Sequence, residues 1–264
     1  MIGKVWFMDE ELISIYGTGE YKKLSEFEKK KLSYLECCQI IYIYASSEGI
    51  FYLFLARILL KYKIGSPEYN FILREQIEEY RHQDMFSRTL EILKSKHTEI
   101  GGFWKWTMKW EALNVLPKYF YILQVVIEII SGDFGGKCTK NKEVFKLVRD
   151  VSEIHDLEEG RHIAFAQIML DKYFKNSGFF GKTLGGWFVF FDILFINHHY
   201  IKLENFKKLG VKNYKELYKI SKNNWKDSKL KNFDSKRGRD FCNRYGFITG
   251  GNKWAFKWFL GFYK

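Results

Sequence analysis

A glutamate on each of four apolar helical stripes is the feature that most restricts how this chain can fold. Residues 31–62 carry apolar side chains at spacings of three and four, with Ile41, Ala45, Glu48, Tyr52 and Leu55 in line. Ser66 or Pro67 opens a second helix that runs to about Lys96, with Phe71, Glu75, Glu79, His82, Phe86 and Leu90 on its stripe. Gly101-Gly102 turns the chain. A third helix is expected over about Phe103–Ser131, bent at Pro117 and stopped at Gly132, with Tyr121, Gln124 and Glu128 on one face. The fourth, about Lys142–Lys175, aligns Val148, Ser152, His155, Glu159, His162, Ala166 and Met169. A fifth, aromatic helix covers about Trp187–Leu203 after Gly185-Gly186, and the remainder is short, basic and less periodic. No internal repeat or low-complexity linker stands out.

Long helices joined by short connections, each burying a carboxylate, describe a four-helix bundle. The expected fold is therefore all-α: one domain over residues 1–264, with core helices in about 31–175 and additional helices toward the C-terminus. An unpaired ionised carboxylate in a bundle core costs several kcal/mol unless a cation sits beside it. Metal supplies that cation. Two segments, Glu79-Tyr80-Arg81-His82 and Glu159-Gly160-Arg161-His162, place a carboxylate and an imidazole one turn apart on one face, and Glu48 and Glu128 stand alone on the other two helices. That is the ligand pattern of di-iron carboxylate bundles. His155 adds a third imidazole to the stripe of Glu159 and His162. Four glutamates balance two ferrous ions. A mixed carboxylate–imidazole set with no cysteine nearby suits iron, with manganese as the alternative. Of the neighbours, Glu75 falls either beside the metals or at a solvated end of its stripe. Glu78 and Glu158 point off the stripe and read as surface charges, whereas Tyr52 and Tyr121 face inward, chiefly as packing.

These residues carry a family resemblance. His155-x-x-x-Glu159-x-x-His162, with Glu128 in YILQVVIEII, Glu79 and His82 in EEYRHQDMF and Glu48 in ASSEGIF, resembles the AurF-like di-iron oxygenases, arylamine N-oxygenases of ferritin-like fold. The match covers about residues 40–170. It implies a metal set of Glu48, Glu79, His82, Glu128, His155, Glu159 and His162. Glu79 and Glu159 would bridge two irons, Glu48 and His82 complete one, and Glu128, His155 and His162 the other. It further implies an O₂-dependent N-oxygenation, through a peroxo species, of an aromatic amine toward hydroxylamine, nitroso or nitro products. Hydroxylation of another small or carrier-bound substrate, and a ferroxidase or iron-binding protein with no organic substrate, are the competing readings.

Composition bears on partners and compartment. The formal net charge of +12 lies wholly after residue 200, where 17 Lys/Arg face 5 Asp/Glu. The final residues, NKWAFKWFLGFYK, fit aromatics packed on the bundle with lysines left in water, and, where the basic surface has a partner, an acidic electron donor of ferredoxin type or a carrier protein. Contact with an anionic membrane surface is less favoured, and a nucleic-acid role leaves the buried glutamates without a purpose. Lys226, Lys229, Lys231 and Lys236 are the candidate docking charges, and Arg237 and Arg239 candidate anchors for a substrate carboxylate, though a solvated basic face explains the arginines more simply. A homodimer is left open. Cys37, Cys38, Cys138 and Cys242 have no disulfide-framework or CxxC spacing, the first residues lack an apolar leader, and Glu36, Gln39, Glu48 and Arg57 interrupt the most apolar run. A cytoplasmic protein is expected. With six histidines and no HxxHH, the chain does not fit the His-box membrane hydroxylases.

Overall fold

The computed structural model describes residues 2–224 and 236–260. Among them the chain is all-α, a ferritin-like bundle with further helices packed on it. Among the described residues the only pairing of extended backbone is an isolated bridge between Trp6 and Val144. After a 3₁₀ turn, Glu10–Leu12, come α1 (Gly19–Lys23) and α2 (Glu26–Leu59). Ser25 and Glu28 form a reciprocal capping box at the start of α2, satisfying amides that have no partner within the helix. Gly65, with φ +81°, turns the chain into α3 (Pro67–Ile92), which Ser66 caps and Pro67 starts. α4 (Gly102–Asn114) crosses over to α5 (Pro117–Lys140), and α6 (Lys146–Phe174) returns beside α5. The four-helix core is thus two hairpins, α2–α3 and α5–α6, set face to face, with α7 (Phe179–Tyr200) against α5 and α2. Four shorter helices follow: α8 (Leu203–Leu209), α9 (Tyr214–Asn224), α10 (Lys236–Tyr245) and α11 (Lys253–Leu260).

Three expected boundaries move, each for a visible reason. Pro117 does not bend a continuous helix. Leu116 takes an extended ψ of 140°, as residues before proline do, and Pro117 starts a new helix at its first position, where no amide is needed. α5 then continues through Gly132, Gly135 and Gly136 instead of stopping. A Cβ on Gly135 would lie 2.4 Å from Oδ1 of Asp156, so this glycine lets α5 and α6 approach closely. Gly185 and Gly186 are likewise interior to α7. A Cβ on Gly186 would lie 2.0 Å from the Phe247 carbonyl oxygen, because the 247–252 segment crosses the helix there. Interior glycine costs a helix about 1 kcal/mol relative to alanine, and tight packing between elements offsets it.

The N-terminal residues cover one end of the bundle. Phe7 donates its amide to Ser33 Oγ, Trp6 accepts the Phe145 amide, and Ser14 donates both N–H and O–H to the buried Glu36 carboxylate on α2. By length and composition alone, α2 and the stretch Phe179–Leu209 are apolar enough to cross a membrane. In α2, however, Glu36, Gln39 and Glu48 are all buried against protein, as expected of a bundle core helix.

Candidate metal centre and adjoining cavity

The inward faces of α2, α3, α5 and α6 bring Glu48, Glu79, His82, Glu128, His155, Glu159 and His162 together, none more than 3% exposed. The stripe of α6 is buried as expected from Val148 to Met169. That of α2 is shifted. Phe51, not Tyr52, follows Glu48 into the core, and Tyr52 is 43% exposed beside Tyr80. Residues three and four along from Glu48 compete for the same face, and the ring without a hydroxyl to satisfy takes it. Tyr121 is fully buried, stacked edge-on against Phe54.

Donor atoms of these residues fall into three overlapping groups, each within 4.8 Å: Glu48, His82, His155 and Glu159; Glu75, Glu79 and His162; and Glu79, Glu128 and Glu159. His155 Nε2 lies 3.2 Å from Glu48 Oε1 and 3.3 Å from Glu159 Oε1. The third imidazole therefore sits with Glu48 and His82, not with Glu128 and His162 as the resemblance implied. Glu75 is not at a solvated end: it is 1% exposed and accepts a 2.6 Å hydrogen bond from Gln124.

Glu78 and Glu158, expected at the surface, are the residues sequence reasoning misplaced. His162 Nε2 lies 2.9 Å from Glu78, and His82 Nε2 lies 2.8 Å from Glu158, so each glutamate reaches the histidine of the opposite helix. Arg161 in turn binds Glu78, and Arg81 binds Glu158. The signal was present. EEYRH at 78–82 and EEGRH at 158–162 are one pentapeptide used twice, and in the fold each supplies what the other lacks. With Nε2 engaged outward, Nδ1 of both rings faces the carboxylates: His82 Nδ1 is 3.0 Å from Glu159 Oε1, and His162 Nδ1 is 2.9 Å from Glu159 Oε2.

The electrostatics of this interior are unbalanced without a cation. Burial raises Glu48 and Glu128 well above the ordinary carboxylate range, and the neighbouring charges of Glu79 and Glu159 add to the effect. Burial acts in the same sense on Glu79, but hydrogen bonding with Glu48, His162 and His82 outweighs it and holds Glu79 at about 2. Glu159 is also held well below its usual value against the effect of burial, by the charges of His155 and His162. The reverse balance lifts His82 to about 10: burial opposes its proton, and Glu159 and Glu79 attract it more strongly. Meanwhile Glu48 Oε2, both oxygens of Glu79, Glu128 Oε1, Glu159 Oε1 and His82 Nδ1 are buried with no aligned hydrogen-bond partner. Orphaned buried oxygens crowded against imidazole nitrogens, with no cation but the imidazoles' own protons to balance them, make a cage that fits a metal, and the donor set suits iron.

Beside the cage, between α2, α4, α5 and α7, lies a cavity of about 520 Å³. Ser47 and Phe51 bring its wall to Glu48 along α2, and Ile127 brings it to Glu128 along α5. Trp104 and Trp110 from α4, and Trp187 and Phe191 from α7, form much of the rest. Neither Arg237 nor Arg239 lines it; Arg237 lies 3.9 Å from Asp133 with its side chain half exposed. Of the proposed docking lysines, Lys226, Lys229 and Lys231 lie outside the described residues, and Lys236 opens α10.

No curated protein and no solved structure matches the chain. A family model does, over residues 3–246, a span that takes in every helix of the bundle, the cage and all but the last helix packed around it. Its description is P-aminobenzoate N-oxygenase AurF, and the chain belongs to that family.

Proposed function

We propose that this oxygenase is a non-haem di-iron N-oxygenase that uses O₂ to oxidise the nitrogen of an aromatic amine. One observation carries the reading: a buried cage of four carboxylates and three imidazoles, rich in unpartnered oxygens, lies beside an apolar cavity large enough for an organic substrate. A ferroxidase has no use for such a cavity.

Glu48, Glu79, Glu128 and Glu159 would hold two irons and balance their charge, with His82, His155 and His162 as nitrogen donors. Iron held there would supply the electrons that reduce O₂, from which the oxygen transferred to the substrate nitrogen comes. The remaining work falls to the chain. Glu78 and Glu158 accept the outward N–H of the two crossed histidines, fixing ring orientation and making the inward nitrogens better donors. Glu75, lifted to about 8 chiefly by burial, keeps a proton at neutral pH beside the cage. Phe51, Trp104 and Trp187 exclude water from the space the amine would occupy and orient its ring. Re-reduction falls to an acidic protein donor docking on the basic C-terminal part. The four free cysteines, all buried, suit a reducing cytoplasm.

The test is metal content with product analysis. Protein purified aerobically after iron-replete growth should hold about two irons per chain. The reduced protein, given O₂ and a panel of aromatic amines, should yield an N-oxidised product from at least one. Stoichiometric zinc would sink the metal assignment, with manganese pointing to the alternative metal. Consumption of added ferrous ion far beyond the site's capacity, with no amine oxidised, would favour the ferroxidase.

A further inference from the structure

The cavity beside the cage has a charge pattern that bears on its substrate. Its walls are almost wholly apolar, and no Lys, Arg or His is among the residues lining it. The charge-bearing exceptions are Glu111 on α4 and Asp192 on α7. Asp192 is 6% exposed, and its Oδ2 is buried without a hydrogen-bond partner. Of the basic groups close by, Arg57 is engaged with the carbonyl of Val115 at the wall without lining the cavity, and His198 and Lys222 line a separate recess that shares only Trp104, Phe191 and Phe195 with it.

Two carboxyls in an apolar cavity carry a desolvation cost that a donor, a cation or their own protonation relieves. Burial pushes Glu111 up to about 7, and burial together with the charge of Glu111 holds Asp192 well above the usual carboxylate range. The surrounding indole and phenyl faces, from Trp104, Trp110, Trp187 and Phe188, add the negative ring potential that attracts cations. A ligand carboxylate placed here would meet two acids and no counter-ion among the lining residues. The cavity volume of about 520 Å³ also lies within the range of about 300–1,000 Å³ that accepts ligands larger than one ring.

Resting on the N-oxygenase reading, we propose that the substrate is an extended aromatic amine whose far end bears a cationic or hydrogen-bond-donating group, and that Glu111 and Asp192 recognise that group. The arrangement discriminates against aryl carboxylates, the class to which p-aminobenzoate belongs. An amidinium is the best-matched probe, because its planar pair of N–H groups engages a carboxylate as a guanidinium does.

The experiment is calorimetric binding to the full-length, iron-loaded protein without reductant, so that nothing turns over. p-Aminobenzamidine and p-aminobenzoate are compared, since they share ring, amine and planar shape and differ in the sign of the terminal charge. Uncharged p-toluidine serves as the control for an intact cavity. The amidine should bind at least about tenfold more tightly than the carboxylate. Asp192→Asn and Glu111→Gln should each abolish most of that preference while leaving p-toluidine affinity unchanged. Equal or tighter binding of p-aminobenzoate, failure of the amidine to bind, or a preference that survives both substitutions overturns the proposal. If one variant loses p-toluidine binding as well, the other decides. Iron is counted on the same samples. Two irons with the wrong preference overturns this inference and spares the metal centre; the expected preference without iron does the reverse.

Discussion

His162 Nε2 lies 2.9 Å from Glu78 Oε2 on the neighbouring helix, and this contact decides which ring nitrogen faces the cage. Its counterpart, His82 to Glu158 at 2.8 Å, does the same from the other side. Removing such a carboxylate typically costs about 10–100-fold in metal affinity. Glu78→Ala and Glu158→Ala should therefore remain helical by circular dichroism yet release iron to a competing chelator at 10–100-fold lower concentration. Glu78→Gln, which keeps an acceptor but loses the charge, should fall between. Unchanged iron retention in all three would return these glutamates to a role in helix packing.

Glu79 belongs to two of the three donor groups, and His162 shares one with it. Glu79→Ala or His162→Ala should lose most of the iron, measured by elemental analysis. Iron bound at 100 times its dissociation constant adds about 2.7 kcal/mol to the folded state. Chelation of the wild type should accordingly lower its melting temperature, whereas the variants should show little further change. A wild-type melting curve indifferent to chelation would argue against a loaded cage.

His155 sits with Glu48 and His82 and outside the groups that contain His162 and Glu128. His155→Ala should thus empty one position preferentially, leaving about one iron per chain where the wild type holds about two. Loss of both irons, or of neither, would contradict this division of the cage.

Glu36 gives a prediction independent of metal. Burial raises its carboxyl to about 7, against two hydrogen bonds from Ser14 that act the other way. The folded chain therefore keeps a proton that the unfolded chain releases near pH 4.5. The contribution is full below that value and disappears as pH rises through 7, at a cost of about 3 kcal/mol. Glu36→Gln keeps an acceptor for the Ser14 amide and should flatten that part of the slope. Urea unfolding of both proteins at pH 5 and pH 8 measures the difference, and parallel slopes would place the charge elsewhere.

Gly186 tests the close crossing of α7 by the 247–252 segment. A methyl group there meets a backbone carbonyl, which cannot rotate aside as a side chain would. Gly186→Ala should destabilise the protein by about 1–3 kcal/mol. It should also speed proteolysis after α10, read by mass spectrometry of the fragments, and an unchanged cleavage rate would mean the crossing is looser than the structure has it.

Helices and ligand candidates were legible because helical period and buried charge are local properties of sequence. Val148, Ser152, His155, Glu159 and His162 could be aligned by counting, and the fold buries them together. The errors came where a second element decides. Gly132 read as the end of one helix and Gly185-Gly186 as the turn before another, because the isolated chain does not reveal Asp156 pressed against Gly135 or Phe247 against Gly186. Tyr52 read as inward because counting cannot choose between positions three and four from Glu48. Glu78 and Glu158 read as solvated because their partners lie on another helix. The Glu111–Asp192 pair had no signal, since α4 and α7 meet across a cavity that neither segment encodes alone.

The crossed glutamates also say what drift this architecture tolerates. Each pentapeptide must keep its internal spacing: inserting one residue turns everything beyond it by about 100° around the helix axis, parting the outward carboxylate from the inward one. Between the two copies only the crossover that holds α4 is free of that restraint and can change length without disturbing either, because α5 and the start of α6 must keep Glu128 and His155 in register. A distant chain of the same design would therefore be found more reliably by a doubled EE-x-R-H at any separation than by overall likeness, and one carrying a single copy would have a glutamate with no histidine to hold.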